Sequence, residues 1–529
     1  MSVTDNVDIG DQTGNEIGGG AAKQNFASNL FLQVEKNNPA KMYVAIAVGI
    51  IVYLLIQLVT LTRSPLPWFD DTFFASIAES LYRNGELKLS VSPLWFDKPV
   101  YIYGPAYFVL TGAALQWFGM DVFAFRLPNL LFSVGILFLV FLLLRQRKIS
   151  LLVVVPVCAL LALDPIFYRG SHIGRMDSMA LFFLLSSFYL LLKGDEGIER
   201  KTLWLTGLSG ASAGIALITT PRPTYLAALI GVILLYRLWR NRTRLNAIRL
   251  TMWTGLSLLP WLMWFFYAFG GIRQLWDYYA SLPGGTYVGG FAIRPEHYPL
   301  LFGLLILLCV RLISSEKKLF DELLFFVVCG IAGYYLLIHD EGGAYAFFMM
   351  PLAYTALGVL AAEVIEQLDE RLPVTVIGAI MLINVATYCA RNIVVWLEWN
   401  ARDPKTVEQA VAKTIPKGSR VVGDDKYYFA VKKSGSDFQY FGRGGSVADR
   451  TAYHRDVYRA DFLIADNDGN SHITKAYIEA LHMKPVGVID AQPVHPFAAW
   501  IERIAEKFGY SSSKGYEGTI WESGRRDRM

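Results

Sequence analysis

Charged residues are scarce in this sequence of 529 residues. Only 18% of the chain is Asp, Glu, Lys or Arg, whereas 54% is hydrophobic and 14% aromatic. This balance excludes a soluble multidomain protein and is typical of a polytopic membrane protein. The formal net charge of +4 is too small to favour a nucleic-acid partner. The positions of the basic residues are therefore more informative than their number.

Cysteine is also scarce. The four cysteines, Cys158, Cys309, Cys329 and Cys389, all fall inside apolar runs and not in loops. The sequence therefore predicts neither a disulfide framework nor a zinc cluster built on thiolates.

The first forty residues show no periodic pattern of apolar residues. Residues 1–40 are rich in Gly, Asn, Asp and Gln, and we predict a disordered cytoplasmic tail. The first apolar run begins near Met42 and lasts about twenty residues, to Leu61. No small-residue cleavage site follows a short apolar region, so this run is predicted to remain as a spanning helix rather than a signal peptide.

Long apolar runs recur as far as about residue 397, and about eleven of them could cross a bilayer. Their approximate bounds are 42–61, 123–144, 150–168, 178–193, 202–219, 223–239, 250–269, 299–313, 321–338, 346–364 and 374–397. One set of connections carries most of the basic residues, among them Arg145, Arg240 and Lys317. The positive-inside rule makes that side cytoplasmic, which predicts an inner-membrane protein with its N-terminus inside and its C-terminal part periplasmic.

Residues 399–529 differ in character from the transmembrane domain predicted over 41–398. Helix-like stretches such as "PKTVEQAVAKTI" alternate there with short apolar segments, "SRVVGD", "DFLIAD" and "PVGVID". This alternation predicts a small α/β domain outside the membrane. The segment "GRGG" at 442–445 predicts a plain turn.

Two adjacent aspartates, Asp70 and Asp71, follow the first span in "PWFDDTFFASIAESL". One of them could serve as the N-cap of the next helix. That helix has apolar residues at helical spacing and would lie on the membrane surface. The apolar residues are Phe73, Phe74, Ile77 and Leu81. A cap needs only one carboxylate, and the loop of about sixty residues is longer than a connector requires, so we predict a site in this loop.

The same loop and the next one supply further polar residues. Asp97 and Lys98 precede Pro99 and a second amphipathic segment, "VYIYGPAYFVLTGAALQWFG", which is predicted to be an interfacial helix. Arg126 opens the second span in "FRLPN". A short loop then places Arg169, His172, Arg175 and Asp177 at a helix entrance.

These motifs resemble the GT-C superfamily of glycosyltransferases that use polyprenyl-phosphate sugars, especially the branch of aminoarabinose transferases and protein O-mannosyltransferases. The resemblance rests on "FDDTFFASIAESLYRNG", "FDKPVYIYGPAYF", "FRLPNLLFSVG" and "GRMDSMALFFLLS", in order, over residues 42 to about 240. It implies an α-helical polytopic GT-C fold. It also implies inverting transfer of a monosaccharide from a polyprenyl-phosphate donor to the hydroxyl of a glycan, lipid or protein acceptor on the periplasmic face.

The resemblance implies roles for single residues. Asp70 matches the carboxylate that takes the proton of the acceptor hydroxyl. Asp177 matches a second outer-loop aspartate, although it could instead cap the helix at 178. Lys98 would neutralise the lipid phosphate as it leaves. Asp71 and Arg126 would support the acceptor or the structure of the site. Asp71 stands where glutamate is commoner, which leaves the subgroup open.

Further outer-loop cations and one tyrosine could reach the donor phosphate. Each could equally be a snorkelling or interface-anchoring residue. These candidates are Arg175, Arg222, Arg294 and Tyr345.

A divalent metal stays an open alternative. Asp97 stands where some relatives have a metal-binding glutamate, and the outer-loop histidines are His172, His297 and His339. We take Asp97 and His297 as the candidate ligands, although no histidine has ligand spacing to another.

Two other classes of membrane protein share part of this pattern. A secondary transporter would place charges near the middle of its spans, where only Asp164 and Arg222 are candidates. A ligase or polymerase of lipid-linked glycans would share the topology and the donor class, but usually gathers arginines in a late outer loop.

Overall fold

A computed structural model of the chain describes residues 39–196, 198–281, 297–314, 321–338, 345–367, 371–466, 472–490, 492–507 and 515–524. The predicted N-terminal tail lies almost entirely outside these ranges. The described part is mostly helical and ends in a small sheet domain, which confirms the predicted fold class.

Helices make up the first part of the chain. In chain order they are α1 Pro39–Thr60, α2 Phe69–Asn84, α3 Pro105–Phe118, α4 Val122–Gln146, α5 Leu151–Leu163, α6 Pro165–Ser171, α7 Asp177–Gly194, α8 Glu199–Leu217, α9 Thr224–Arg240, α10 Arg244–Phe269, α11 Ile272–Ala280, α12 Tyr298–Ser314, α13 Glu322–Leu337, α14 Met350–Gln367 and α15 Arg371–Leu397. Each of the predicted apolar runs coincides with one of these helices, except 150–168, which covers both α5 and α6.

The number of membrane crossings stays a prediction. Among the described residues, 5 helices are long and apolar enough to span a bilayer, or up to 6 if a bent pair counts as one span. Shorter apolar helices cover Ile46–Thr60, Tyr298–Ile313 and Glu322–Leu337. Helices α8 and α9, which flank the prolines around Arg222, do not meet the same criteria of length and composition.

The predicted span 150–168 is broken in the middle. Helix α5 ends at Leu163, and α6 starts at Pro165 after a bend of 63°. Asp164 stabilises the break because its Oδ1 accepts the backbone N–H groups of Ile166 and Phe167, both at 2.9 Å. Its Oδ2 accepts a hydrogen bond from Tyr354 at 2.9 Å. Asp164 is therefore a satisfied helix cap, which removes one of the two charges that favoured a transporter.

The predicted cytoplasmic connections meet at one end of the helix bundle. Arg237 at the end of α9 contacts Glu322 on α13 and, at 2.7 Å, Asp195 after α7. Asp195 also pairs with Arg249 of α10 at 2.7 Å. Helix α9 begins two residues after Arg222 and carries Arg237 in its last turn, so these two arginines lie at opposite ends of α9.

The C-terminal domain contains a five-stranded mixed sheet in the order β2-β1-β3-β5-β4. Its strands are β1 Arg420–Gly423, β2 Asp437–Tyr440, β3 Phe462–Ala465, β4 Met483–Ile489 and β5 Gly518–Ser523. Strand β1 pairs in parallel with β2 and β3, whereas β5 runs antiparallel to β3 and β4. Its helices are α16 Pro404–Thr414, α17 Tyr428–Lys433, α18 Val447–Asp456, α19 His472–Ala480 and α20 Pro496–Lys507.

Helix α2 lies between α3 and this C-terminal domain. Residues 71–80 are all buried, so every face of that stretch is covered. Glu79 accepts a hydrogen bond from Tyr428 at 3.0 Å and pairs with Lys432 at 3.1 Å. This burial argues against the predicted position of α2 on the membrane surface. A surface position fits α3 better, because α3 exposes large side chains such as Trp117 and Phe118.

One hydrophobic core joins the C-terminal domain to the first outer loop. Phe74 and Phe125 belong to the same buried cluster as Val407 and Phe429. The rings of Phe125 and Phe429 are 6.0 Å apart between centroids. The C-terminal domain thus helps to fix α2, whose first turn carries the acidic pair.

Candidate active site

Asp71 occupies the third position of α2 and is fully buried. Arg126 donates two hydrogen bonds to the carboxylate of Asp71, from Nε to Oδ1 at 3.0 Å and from Nη2 to Oδ2 at 2.7 Å. The backbone N–H groups of Gly174 and Trp68 also donate to this carboxylate, at 2.8 and 3.3 Å. With its oxygens occupied and no access to solvent, Asp71 has the geometry of a structural residue.

Arg126 is fully buried as well. Its Nη1 donates to the carbonyl oxygens of Leu61, at 2.9 Å, and Pro65, at 2.7 Å. This arginine therefore ties the exit of α1 to the start of α2. Of the two roles predicted for Asp71 and Arg126, the geometry favours structural support over contact with an acceptor.

Asp70 has a different environment, and its side chain is 18% exposed. Its Oδ2 contacts Nη1 of Arg175, while its Oδ1 makes no hydrogen bond within the described residues. Arg175 also donates from Nε to Oδ2 of Asp177 at 2.7 Å. One guanidinium therefore bridges the two aspartates that the motifs identified, which lie far apart in sequence.

Arg222 extends this cluster. Its Nη1 lies 3.5 Å from Oδ1 of Asp177. Its Nη2 donates to the hydroxyl oxygens of Tyr345, at 2.7 Å, and Tyr103, at 2.9 Å. The guanidinium carbon also lies 4.1 Å from the centre of the Tyr345 ring. The prolines on either side of Arg222 separate α8 from α9, so the chain turns here and directs the arginine into the cluster.

The charges of the cluster balance, with two aspartates against two arginines. Burial alone would lower the pKa of Arg175, but Asp70 and Asp177 raise that pKa well above its usual value. The pKa of Arg222 is also raised, since Tyr103, Tyr345 and Asp177 outweigh its burial. Both guanidinium groups therefore remain charged, as binding of a phosphate requires.

Asp177 does not cap its helix through its side chain. Helix α7 begins at Asp177 itself, and the residue before it, Met176, makes no side-chain cap. The carboxylate is buried and faces Arg175 and Arg222. The alternative interpretation of Asp177 as an N-cap is therefore wrong.

Lys98 and Asp97 are exposed, and neither side chain makes an ion pair or hydrogen bond within the described residues. Tyr278 of α11 holds the backbone that follows them. Its hydroxyl donates to the carbonyl of Pro99 at 3.1 Å and accepts the N–H of Ile102 at 3.4 Å. Lys98 is thus on a fixed backbone with an ammonium group available to an anion.

The described residues do not fit a resident metal. They contain no group of three or more His, Cys, Asp or Glu side chains that could hold an ion. His297 is buried, with Nδ1 3.0 Å from the hydroxyl of Tyr335, whereas Asp97 is exposed. His172 is buried too, and its Nδ1 lies 3.0 Å from the carbonyl of Tyr168. His339 and Arg294 lie outside the described residues.

A small cavity borders the charged cluster. Arg169, Arg175 and Asp177 form its polar wall. The remaining lining residues are Ile166, Gly170, Ile173 and Phe347. The cavity therefore places an apolar surface directly beside the site's charges.

Sequence reasoning missed two tyrosines of this site. Tyr103 lies in the aromatic run "VYIYGPAYF", which was interpreted only as the entry to an interfacial helix. Tyr278 gave no signal, because its partner Pro99 is 179 positions away.

The fold is shared with solved glycosyltransferase structures. ArnT from Cupriavidus metallidurans matches in its apo state and when bound to undecaprenyl phosphate, each with a TM-score of 0.58. Both comparisons cover 91% of this chain and 98% of that chain, at 11% identity. Arabinofuranosyltransferase AftD from Mycobacteria matches with a TM-score of 0.50 at 13% identity, over 90% of this chain and 40% of its own. No curated protein matches the sequence.

The shared architecture is the GT-C fold. Residues 50–272 also match the family of dolichyl-phosphate-mannose-protein mannosyltransferases. Together, the family match and the fold support a glycosyltransferase of the GT-C superfamily, as the four motifs predict.

Proposed function

We propose that this chain is an inverting glycosyltransferase of the bacterial inner membrane. It moves one monosaccharide from a polyprenyl-phosphate donor to an acceptor hydroxyl on the periplasmic face. The acceptor is a glycan, a lipid or a protein. The family match over 50–272 and the likeness to ArnT bound to undecaprenyl phosphate support the donor class.

The proposal rests on the different environments of the two aspartates in the acidic pair. Asp71 is buried and fully engaged by Arg126, whereas Asp70 keeps a free Oδ1 and partial exposure. Only Asp70 can therefore meet an acceptor. Because Arg175 contacts Oδ2 alone, the carboxylate is held in place without losing the oxygen that a base needs.

Asp70 is proposed as the general base. The acceptor oxygen attacks the anomeric carbon of the sugar, and its proton passes to Oδ1 of Asp70. The bond from the anomeric carbon to the phosphate oxygen breaks, so the lipid phosphate leaves with the electron pair. A single displacement from the opposite side inverts the configuration at this carbon. Asp177 acts through Arg175, which it orients from the other side.

Cations stabilise the charge that develops on the leaving phosphate. Arg222 is the strongest candidate, since it is already oriented by Tyr103 and Tyr345. Lys98 adds a second positive charge from the first outer loop. Groups that are fixed before the reaction stabilise the transition state without reorganising during it. Arg294 is retained as a candidate, and no step of this mechanism requires a metal.

The location of the site supports transfer at the outer face. The basic connections meet around Arg237, which lies at the other end of α9 from Arg222, and the positive-inside rule predicts that the Arg237 end is cytoplasmic. A donor whose tail remains in the bilayer can then present its sugar at the membrane surface. The C-terminal domain covers the same side and is proposed to help recognise the acceptor.

A donor panel tests the proposal. The purified protein would be incubated with several polyprenyl-phosphate monosaccharides, and release of polyprenyl phosphate would be measured for wild type and for Asp70→Asn. We expect turnover of at least one donor and a loss of about 100-fold to 10⁴-fold in the variant, because a positioned base contributes about this factor. Glu86→Gln is the matched control, since Glu86 is an exposed carboxylate of the same outer loop.

Four results would contradict the proposal. Two of them are release of polyprenyl phosphate from no donor by wild type and retention of the wild-type rate by Asp70→Asn. Transfer of a whole oligosaccharide, rather than one sugar, would instead indicate a ligase or polymerase. Uptake of a labelled solute by vesicles, in the absence of transfer, would indicate a transporter.

A further inference from the structure

The "GRGG" segment of the C-terminal domain is more than a turn, because it packs on the first outer loop. Just before it, Tyr440 donates its backbone N–H to the carbonyl of Val91 at 2.7 Å. Gly444 has a φ of +106°, and a Cβ at this position would lie 2.9 Å from Leu94 and 3.0 Å from the backbone nitrogen of Trp95. Only glycine permits this conformation and this close approach. The contact fixes the position of Arg443.

Arg443 lies over the ring of Phe69 and within cation–π distance of Trp95, both in the first outer loop. Its guanidinium carbon lies 4.0 Å from the ring centre of Phe69 and 5.3 Å from that of Trp95. The two rings meet edge to face, with centroids 6.0 Å apart. Phe69 is the first residue of α2 and directly precedes Asp70. The C-terminal domain therefore contributes a cation beside the first turn of the helix that carries the proposed base.

The charge of Arg443 is not neutralised within the described residues. The side chain is exposed and forms no ion pair there. Two other arginines of the same domain do form ion pairs: Arg420 pairs with Asp461, and Arg455 pairs with Asp456. A guanidinium that stacks through its face keeps its N–H edge available for an oxyanion. The two rings also restrict the rotamers of Arg443, which lowers the entropic cost of binding an oxyanion.

We propose that Arg443, Phe69 and Trp95 form an acceptor subsite for a phosphate or carboxylate that the acceptor carries in addition to its reacting hydroxyl. This inference rests on the proposed function. The donor phosphate has its own cations, since Arg222 is bound by Tyr103 and Tyr345 and belongs to a different set of contacts. Arg443 contacts none of these residues. The subsite selects anionic acceptors and leaves the donor site unchanged.

Binding of three octyl glycosides tests the subsite without turnover. Octyl glucoside, octyl glucuronide and octyl 6-phosphoglucoside share one sugar and one tail but differ in charge. Their affinities for the full-length protein would be measured by calorimetry in phosphatidylcholine vesicles. For wild type we expect at least about tenfold tighter binding of the two charged glycosides than of the neutral one, as a charge-assisted bidentate contact provides.

Two substitutions separate charge from packing. Arg443→Met keeps a long apolar side chain over Phe69, and we expect it to bind all three glycosides equally. Arg443→Lys keeps the charge, and we expect it to retain part of the preference. Undecaprenyl phosphate should bind to wild type and to Arg443→Met with the same affinity, because the donor site is separate. Unchanged thermal unfolding of both variants would show that the domains still pack together.

Several outcomes would overturn the subsite. Equal affinity of wild type for the three glycosides, or no binding of any of them, would show that the proposed subsite does not select anions. A charge preference that persists in Arg443→Met would assign it to another residue. If added phosphatidylglycerol abolishes the preference, the arginine binds lipid headgroups rather than an acceptor. Failure of the proposed function is distinct, since it would appear in the donor panel as absent release of polyprenyl phosphate.

Discussion

Adjacent aspartates acquire different roles because they lie on a helix. Successive residues of an α-helix point about 100° apart, so Asp70 and Asp71 cannot share one environment. Asp71 is directed inward to Arg126, and Asp70 is directed to the partly exposed cluster around Arg175. The sequence alone could show that two carboxylates exceed the needs of a helix cap. It could not show which one is buried, because that depends on Arg126, 55 positions away.

Breaking the buried pair should destabilise the protein. Asp71→Asn leaves Arg126 charged and uncompensated at a fully buried position. We expect a loss of about 3–5 kcal/mol in the free energy of unfolding, which denaturant unfolding in detergent would measure. Asp70→Asn should change it by less than about 1 kcal/mol, because Asp70 is partly exposed. Equal stabilities of the two variants would contradict the assigned roles.

The hydroxyl of Tyr345 should contribute to binding of the lipid phosphate. Tyr345→Phe removes the acceptor that orients Arg222 at 2.7 Å. The net value of one hydrogen bond is about 0.5–1.5 kcal/mol, so we expect affinity for undecaprenyl phosphate to fall about twofold to tenfold. Tyr225→Phe is the matched control, since the Tyr225 hydroxyl is buried and makes no hydrogen bond within the described part of the chain. A larger effect of the control would argue against the role of Tyr345.

At the scale of elements, apolar length predicted the helices, whereas two of the five short strands were missed. The runs 123–144 and 178–193 correspond within a few residues to α4 and α7, because long apolar segments in a membrane protein form helices. Strands β1, β3 and β4 were predicted from their apolar character, and each is present. Strand β2 was missed because "DFQY" has only two apolar residues. Strand β5 was missed for a similar reason, since its "GTIWES" mixes polar and apolar positions.

Tyr278 should position the Lys98 loop from a separate element. Its hydroxyl bridges Pro99 and Ile102, so Tyr278→Phe releases the backbone next to Lys98. We expect the KM for the donor to rise about threefold to tenfold with a smaller change in kcat, because binding of the phosphate is affected before chemistry. Tyr267→Phe is the control, since Tyr267 on α10 is 75% exposed.

The expected effect of Tyr278 depends on Lys98. In a Lys98→Ala background, Tyr278→Phe should have little further effect on the donor KM, because the side chain whose position it fixes is absent. Additive effects of the two substitutions would mean that Tyr278 acts through another group.

At the scale of the whole molecule, the C-terminal domain is part of the site's framework. The hydroxyl of Thr72 on α2 donates to the carbonyl of Asp425 at 2.9 Å, and Lys433 pairs with Asp121 before α4 at 3.0 Å. The composition of residues 399–529 predicted a separate α/β unit. It could not predict this docking, since contacts between distant segments leave no local pattern in the sequence.

This docking makes the stability of the molecule depend on pH through Asp425. Burial, together with the nearby carboxylates of Asp424 and Asp71, raises the pKa of Asp425 to about 7, although the backbone N–H of Lys426 acts in the opposite direction. Burial likewise raises the pKa of Asp424 to about 6, with Asp466 contributing. A raised carboxyl pKa means that the folded protein prefers the protonated form. The stabilising contribution is therefore complete below the ordinary pKa of 3.8 and is lost as the pH rises through about 7.

Asp425→Asn should remove this pH dependence because an amide imitates the protonated carboxyl. We expect the variant to be more stable than wild type at pH 8, by about 1 kcal/mol, and to match it near pH 4. Thermal unfolding across this range would measure the difference, with Asp490→Asn as the control, since Asp490 is an exposed carboxylate of the same domain. Parallel stability curves for wild type and Asp425→Asn would show that Asp425 is accessible to water. The Asp425 carboxyl lies near the carboxylate of Asp71, and the backbone carbonyl of the same residue accepts the hydroxyl of Thr72. Ionisation of this carboxyl adds a negative charge beside Asp71 and should also loosen the start of α2, so we expect activity to decline above pH 7 more steeply in wild type than in Asp425→Asn.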